Sequence, residues 1–149
     1  ELLTYLEKDP QGKKADPLKG RIVFEKAQCI KCHKFGKEGD AVGPDLTALA
    51  KRFKRQEMMD SILFPSKTII DQYRSSTIST TKGQVITGLV AEQGETISVL
   101  QADASRITLK KSDVEAIVPS LVSVMPERLL DALTKQEIAE LIAFLEMMP

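Results

Sequence analysis

The only two cysteines and the only histidine of this chain stand within five consecutive positions, Cys29-Ile30-Lys31-Cys32-His33. A C-x-x-C-H run is the expected signature of covalent c-type haem attachment. Thiols at i and i+3 face one edge of a porphyrin and form thioethers to its vinyl groups, while the adjacent imidazole reaches the iron. A chain built this way packs around a cofactor whose apolar volume no count of side chains includes.

Other uses of the same residues fit less well. A disulfide consumes both cysteines and leaves His33 without a role. A thioredoxin-like site needs a strand before the motif and a helix after it, whereas a helical pattern precedes this one and Gly36, Gly39 and Gly43 follow it. Structural zinc usually takes four Cys or His ligands, and the chain holds three such residues in all.

At 149 residues, 42% of them hydrophobic, the chain is of a size for one domain and can supply its core. Twenty-one basic and 21 acidic side chains balance, which argues against global nucleic-acid affinity or strong attraction to a membrane surface. No stretch approaches the roughly 18 apolar residues of a membrane span. No basic segment followed by an apolar h-region is present, so the chain reads as mature protein or as a domain excised from a larger one. Covalent haem attachment implies thiols handled outside the cytoplasm, so the expected location is the periplasm or another extracytoplasmic compartment.

Residues 1–16 read as an N-terminal extension or linker. Leu2, Leu3 and Leu6 make a short helix belonging to a neighbouring domain, and the polar stretch from Asp9 to Lys19 holds Pro10, Gly12 and Pro17. Asp16-Pro17 opens a helix with Ile22, Val23 and Ala27 as its apolar stripe and Phe24 beside it, running to Gln28. Lys34 to Pro44 is a glycine-punctuated loop. A broken helical stretch follows from Leu46 to Phe64, including Met58 and Met59, until Pro65 stops it. The period then becomes extended: Tyr73–Thr81, Val85–Val90, Thr96–Leu100, Arg106–Leu109 and Val114–Val118 read as antiparallel strands, with Gly83 and Gly94 at turns. Thr134 and Glu137 form a capping box for a last helix from Lys135 to Met147, whose stripe is Ile138, Leu141, Ile142, Leu145 and Met148.

With these segments in place the chain resembles a class I c-type cytochrome domain, and more closely the haem-binding domains of planctomycete and verrucomicrobial proteins, often found at the end of larger polypeptides. The matching text is Gly20 to Phe24, Cys29 to His33, Gly43-Pro44-Asp45-Leu46, Leu63-Phe64-Pro65-Ser66, Val124-Met125-Pro126 and the helix from Thr134 to Leu145. The stretch from about Tyr73 to Val118 departs from a minimal cytochrome but resembles an insertion of that subgroup, with Lys82-Gly83-Gln84 and Gly88-Leu89-Val90. The resemblance implies a mainly α, cytochrome c-like helical fold at residues 17–149 around one covalent haem c, with an inserted small antiparallel β-sheet at about 73–118.

It also implies the rest of the site. The family places its axial methionine in an x-Met-Pro run before the last helix, which is Met125. His33 and Met125 are 92 positions apart, and 46 of those belong to the insertion, leaving a spacing that suits a small cytochrome. Met58 and Met59, in a helical apolar pattern, read as core. His33 is expected to donate its other ring proton to a backbone carbonyl, which the resemblance assigns to Pro44. Leu46, Phe53, Leu63 and Leu129 are expected to line the haem or the plain core, and Tyr73 and Arg74 to meet a propionate or a sheet surface.

Two basic runs, Lys26, Lys31, Lys34 and Lys37 and then Lys51, Arg52, Lys54 and Arg55, are either solvated faces or a border of the haem edge that steers an acidic redox partner. Nucleic acid fits poorly, since the runs lack interleaved aromatics and a reader motif. The function expected is one-electron transfer by a non-enzymatic carrier, free or as the electron-accepting module of a larger dehydrogenase. The alternatives are a haem sensor or partner-binding module, and a peroxidase-like enzyme with an exchangeable sixth site.

Overall fold

The structure is a computed structural model describing residues 1–148. It divides into two compact units: a helical one, Glu1–Phe64 with the chain from Glu127 onward, and a sheet unit, Pro65–Pro126.

The helical unit holds α1 (Leu2–Lys8), α2 (Pro10–Lys13), α3 (Pro17–Lys26), α4 (Arg55–Leu63) and α5 (Lys135–Leu145). Asp9 and Asp16 start α2 and α3. Their carboxylates accept the N–H of Gln11 at 2.8 Å and of Leu18 at 2.9 Å, and a proline fills the first position of each helix. The expected Thr134–Glu137 capping box opens α5, with reciprocal bonds of 2.8 and 3.1 Å.

The buried face of α3 is Gly20, Val23 and Phe24, continued by Ala27 at its C-cap. This corrects the expected stripe: Phe24 is 1% exposed and Ile22 is 63% exposed. Spacings of three and four from Gly20 put 23, 24 and 27 on one side and turn position 22 outward. Gly20 lies where α5 crosses, and a Cβ there would stand 1.9 Å from the carbonyl oxygen of Glu140. Between the two helices Phe24, Phe35 and Phe144 form a ring cluster with centroids 4.4 to 6.4 Å apart. Met58 and Met59 are buried in the same core, as expected for packing residues.

The segment expected as an extension or linker is folded here. Leu6 is 1% exposed within the core, and the Tyr5 hydroxyl donates to Gln136 Oε1 on α5 at 2.7 Å.

The sheet unit contains β1 (Ser76–Thr80), β2 (Val85–Gln93), β3 (Thr96–Leu100), β4 (Arg106–Lys110) and β5 (Val114–Pro119), all antiparallel in the order β4-β3-β2-β1-β5. β2 pairs with β1 up to Gly88 and with β3 from Leu89, so one long strand serves both halves of the sheet. Ile78, Ile86, Ile97 and Val99 make a core of its own. Tyr73, expected in the first strand, lies in a 3-10 turn at Asp71–Tyr73.

The mainly α expectation does not hold. Among the described residues helix accounts for 36% and strand for 22%. From Leu46 to Phe64 only the 3-10 turn Leu49–Lys51 and α4 are helical, with Ala48 at φ +56° preceding the turn. The stretch expected as a small antiparallel sheet forms five strands with an apolar cluster of their own.

Candidate functional site

After α3, Gln28 adopts φ +65° and redirects the chain into a single turn. The carbonyl of Cys29 accepts both the Cys32 N–H at 3.1 Å and the His33 N–H at 2.9 Å. Positions i, i+3 and i+4 of that turn therefore share one side, which is what attachment of two thiols and one imidazole to the same ring requires.

The glycine-punctuated loop secures the turn from outside. Gly43 donates its N–H to Cys32 O at 2.7 Å, Asp40 to Ile30 O at 3.2 Å, and Leu46 to Lys34 O at 2.8 Å. His33 Nδ1 lies 2.7 Å from Pro44 O. A carbonyl only accepts, so the proton sits on Nδ1 and Nε2 presents a bare lone pair. Gly43 packs on the ring, where a Cβ would meet Cε1 at 2.8 Å and Nδ1 at 3.1 Å. Burial pushes the His33 pKa down, partly countered by the bond to Pro44, so the imidazole is held neutral.

Cys29 and Cys32 are both free thiols. Burial pushes Cys29 up to about 11, and burial with the nearby Asp40 carboxylate raises Cys32 as well. A redox-active Cys-x-x-Cys pair has a depressed thiol pKa, so the environment here runs the opposite way. Among the described residues no three His, Cys, Asp or Glu side chains converge as a metal site. The cysteines and His33 are thus not arranged as zinc ligands.

Apolar surface for a planar ring is present in the helical unit. Phe53 and Leu63 are each 40% exposed and Phe64 is 55% exposed. Leu63 and Leu129 come together, with Ile62, Phe64 and Leu130, around a cavity of about 170 Å³. Ligand pockets run to roughly 300–1,000 Å³, so this one takes only part of a porphyrin. Leu46 is half-buried against the core. Phe64 and Leu130 were not singled out in the sequence, although Phe64 stands in the quoted Leu63-Phe64-Pro65 run.

The remaining residues lie in the sheet unit. Tyr73 is half-buried, and Arg74 is exposed and pairs with Asp71 at 3.3 Å. Met125 is half-buried, and its N–H donates to Ser123 Oγ at 3.1 Å. The thiols, a neutral imidazole with its Nε2 uncommitted and the exposed apolar residues fit a covalently held haem.

A family model described as cytochrome c matches residues 18–149. No curated protein matches the chain. No helix among the described residues is long and apolar enough to cross a membrane.

Proposed function

The chain belongs to the cytochrome c family, and from that premise we propose that it holds one haem c and carries single electrons between redox partners. Cytochrome c domains bind haem c covalently, act typically as electron carriers and are generally extracytoplasmic. Within the family, the inserted sheet supports placement beside the planctomycete and verrucomicrobial haem-binding domains.

Cys29 and Cys32 are the attachment residues. They would hold a haem through thioethers, each thiol adding as S–H across one vinyl group, which would need neither oxidant nor reductant. His33, through Nε2, and Met125, through its thioether, are the residues that would ligate the iron. The bound haem supplies one iron that gains and loses a single electron, and a methionine ligand raises its potential relative to a second imidazole. The observation that carries this reading is the 2.7 Å contact from His33 Nδ1 to Pro44 O, because it fixes the tautomer that leaves Nε2 for iron.

With its one histidine committed in this way, the chain offers no imidazole for distal acid–base work, which favours a carrier over a peroxidase. Lys34 and Lys37 are exposed, whereas Lys26 pairs with Glu137 and Arg55 with Glu146. Lys51, Arg52 and Lys54 of the second run are exposed as well, so both runs are available to steer an acidic partner in the periplasm or an equivalent compartment, through encounter rate more than affinity.

Two measurements test the proposal on protein matured with a cytochrome c assembly system. Denaturing mass spectrometry is expected to show one haem retained on the polypeptide, and a bare-chain mass would end the reading. Met125→Ala is expected to abolish the methionine-to-iron charge-transfer band of the ferric spectrum and lower the potential. A wild-type spectrum that is already high-spin would move the function to a sensor or enzyme.

A further inference from the structure

The loop that carries Met125 is held by serines. β1 and β5 pair with Ser76 opposite Pro119, and the ladder continues one step further as Ser120 N–H donates to Ser75 O at 2.9 Å. Ser75 is 0% exposed, and its Oγ donates to Val122 O at 2.6 Å. Ser66 Oγ accepts the Ser123 N–H at 3.0 Å. Ser120 Oγ and Ser123 Oγ accept the N–H groups of Val122 and Met125, each at 3.1 Å. Apolar burial does not fix this loop, since Leu121 is 83% and Val122 is 61% exposed. The polar bonds do.

We infer that Ser75, together with Ser66, is a positioning residue for Met125, and that the inserted sheet serves to hold the axial-ligand loop so that the thioether stays on the iron. The inference rests on the reading of Met125 as the sixth ligand. A backbone carbonyl tethered to a fully buried hydroxyl leaves that segment little freedom, and the same β1–β5 ladder that closes the sheet sets where the loop begins. Val122 and Ser123 are thereby anchored, at Ser75 and at Ser66, three and two residues before the methionine.

The test uses the full chain with haem attached. Ser75→Ala and Ser66→Ala are each measured for the methionine-to-iron band, the reduction potential and the rate of carbon monoxide binding to the ferrous protein. Ser66→Thr keeps a hydroxyl, and Ser98→Ala on β3 serves as a control within the sheet. Carbon monoxide needs the methionine to leave. Loss of one such bond is expected to speed its binding by about fivefold, with a weaker band and a lower potential, while far-UV circular dichroism is unchanged. Ser66→Thr and Ser98→Ala are expected to match the wild type. If Ser75→Ala does not fold, Ser66→Ala decides. Rates and potentials identical to wild type in the folded alanine variants would overturn the positioning role while leaving Met125 ligation intact. A wild type that binds carbon monoxide as fast as Met125→Ala would instead remove the ligation reading and the inference with it.

Discussion

What orients His33 is backbone rather than another side chain: Pro44 O takes its Nδ1 proton, and Gly43 lies against its ring. A methyl group at 43 would sit 2.8 Å from Cε1, closer than two carbons tolerate, so the ring must shift and its hydrogen bond weaken. Gly43→Ala is therefore expected to keep the thioether mass but raise the high-spin fraction of the ferric spectrum, read by electron paramagnetic resonance. The net value of the weakened bond is about 1 kcal/mol, enough to populate a displaced ring. The Cys29–His33 motif was legible in the sequence because its five residues are adjacent, whereas Pro44, 11 positions on, followed from the family resemblance and not from a local pattern. The serines were not legible. Ser75 and Ser66 are common residue types whose partners stand 47 and 57 positions away, and no local pattern announces a bond of that range.

At the scale of elements, the helix starts were readable and the packed faces less so. An Asp before a proline, or a Thr three residues before a Glu, states its hydrogen bonds within four positions. Which of Ile22 and Phe24 turns inward depends on where α5 crosses, and that depends on Gly20. Gly20→Ala places a Cβ 1.9 Å from Glu140 O, and prying α3 from α5 is expected to cost about 1–3 kcal/mol in urea unfolding. Thr134→Ala removes the α5 cap for about 1 kcal/mol. Its partner in the box gives a pH dependence. The bond from Lys26, then that from the Thr134 backbone, holds the Glu137 carboxyl below its ordinary value. A depressed folded pKa gives stability that is present above the unfolded carboxylate value and lost as pH falls through the folded one. The stability difference between wild type and Glu137→Gln is thus expected to be largest near neutrality and to vanish in acid, as unfolding curves at several pH values will show.

For the whole molecule, the length allowed one domain, and the helical motifs at both ends pointed to a mainly α body. The strands were legible from β-branched runs and glycine turns, but nothing local tells that five of them close on Ile78, Ile86, Ile97 and Val99 as a separate cluster. The residues proposed for attachment and for the sixth ligand then divide between the units: Cys29, Cys32 and His33 belong to the helical one, and Met125 is the penultimate residue of the sheet unit. Damage to one core is expected to show in one function. Ile78 is 0% exposed in the sheet core, and Ile78→Ala is expected to destabilise it by about 2–5 kcal/mol. The haem should remain covalently bound, with an unchanged haem-to-chain mass ratio, because its thioethers form on the other unit. The methionine-to-iron band should weaken, since β1 is the strand on which the Met125 loop is tethered. Met59→Ala, in the helical core at 1% exposure, is expected to lower the yield of haem-loaded protein instead, because the turn bearing both thiols is packed on that core. Equal loss of attachment in the two variants would show that the sheet core is needed to build the haem site itself, and the division of roles would be wrong.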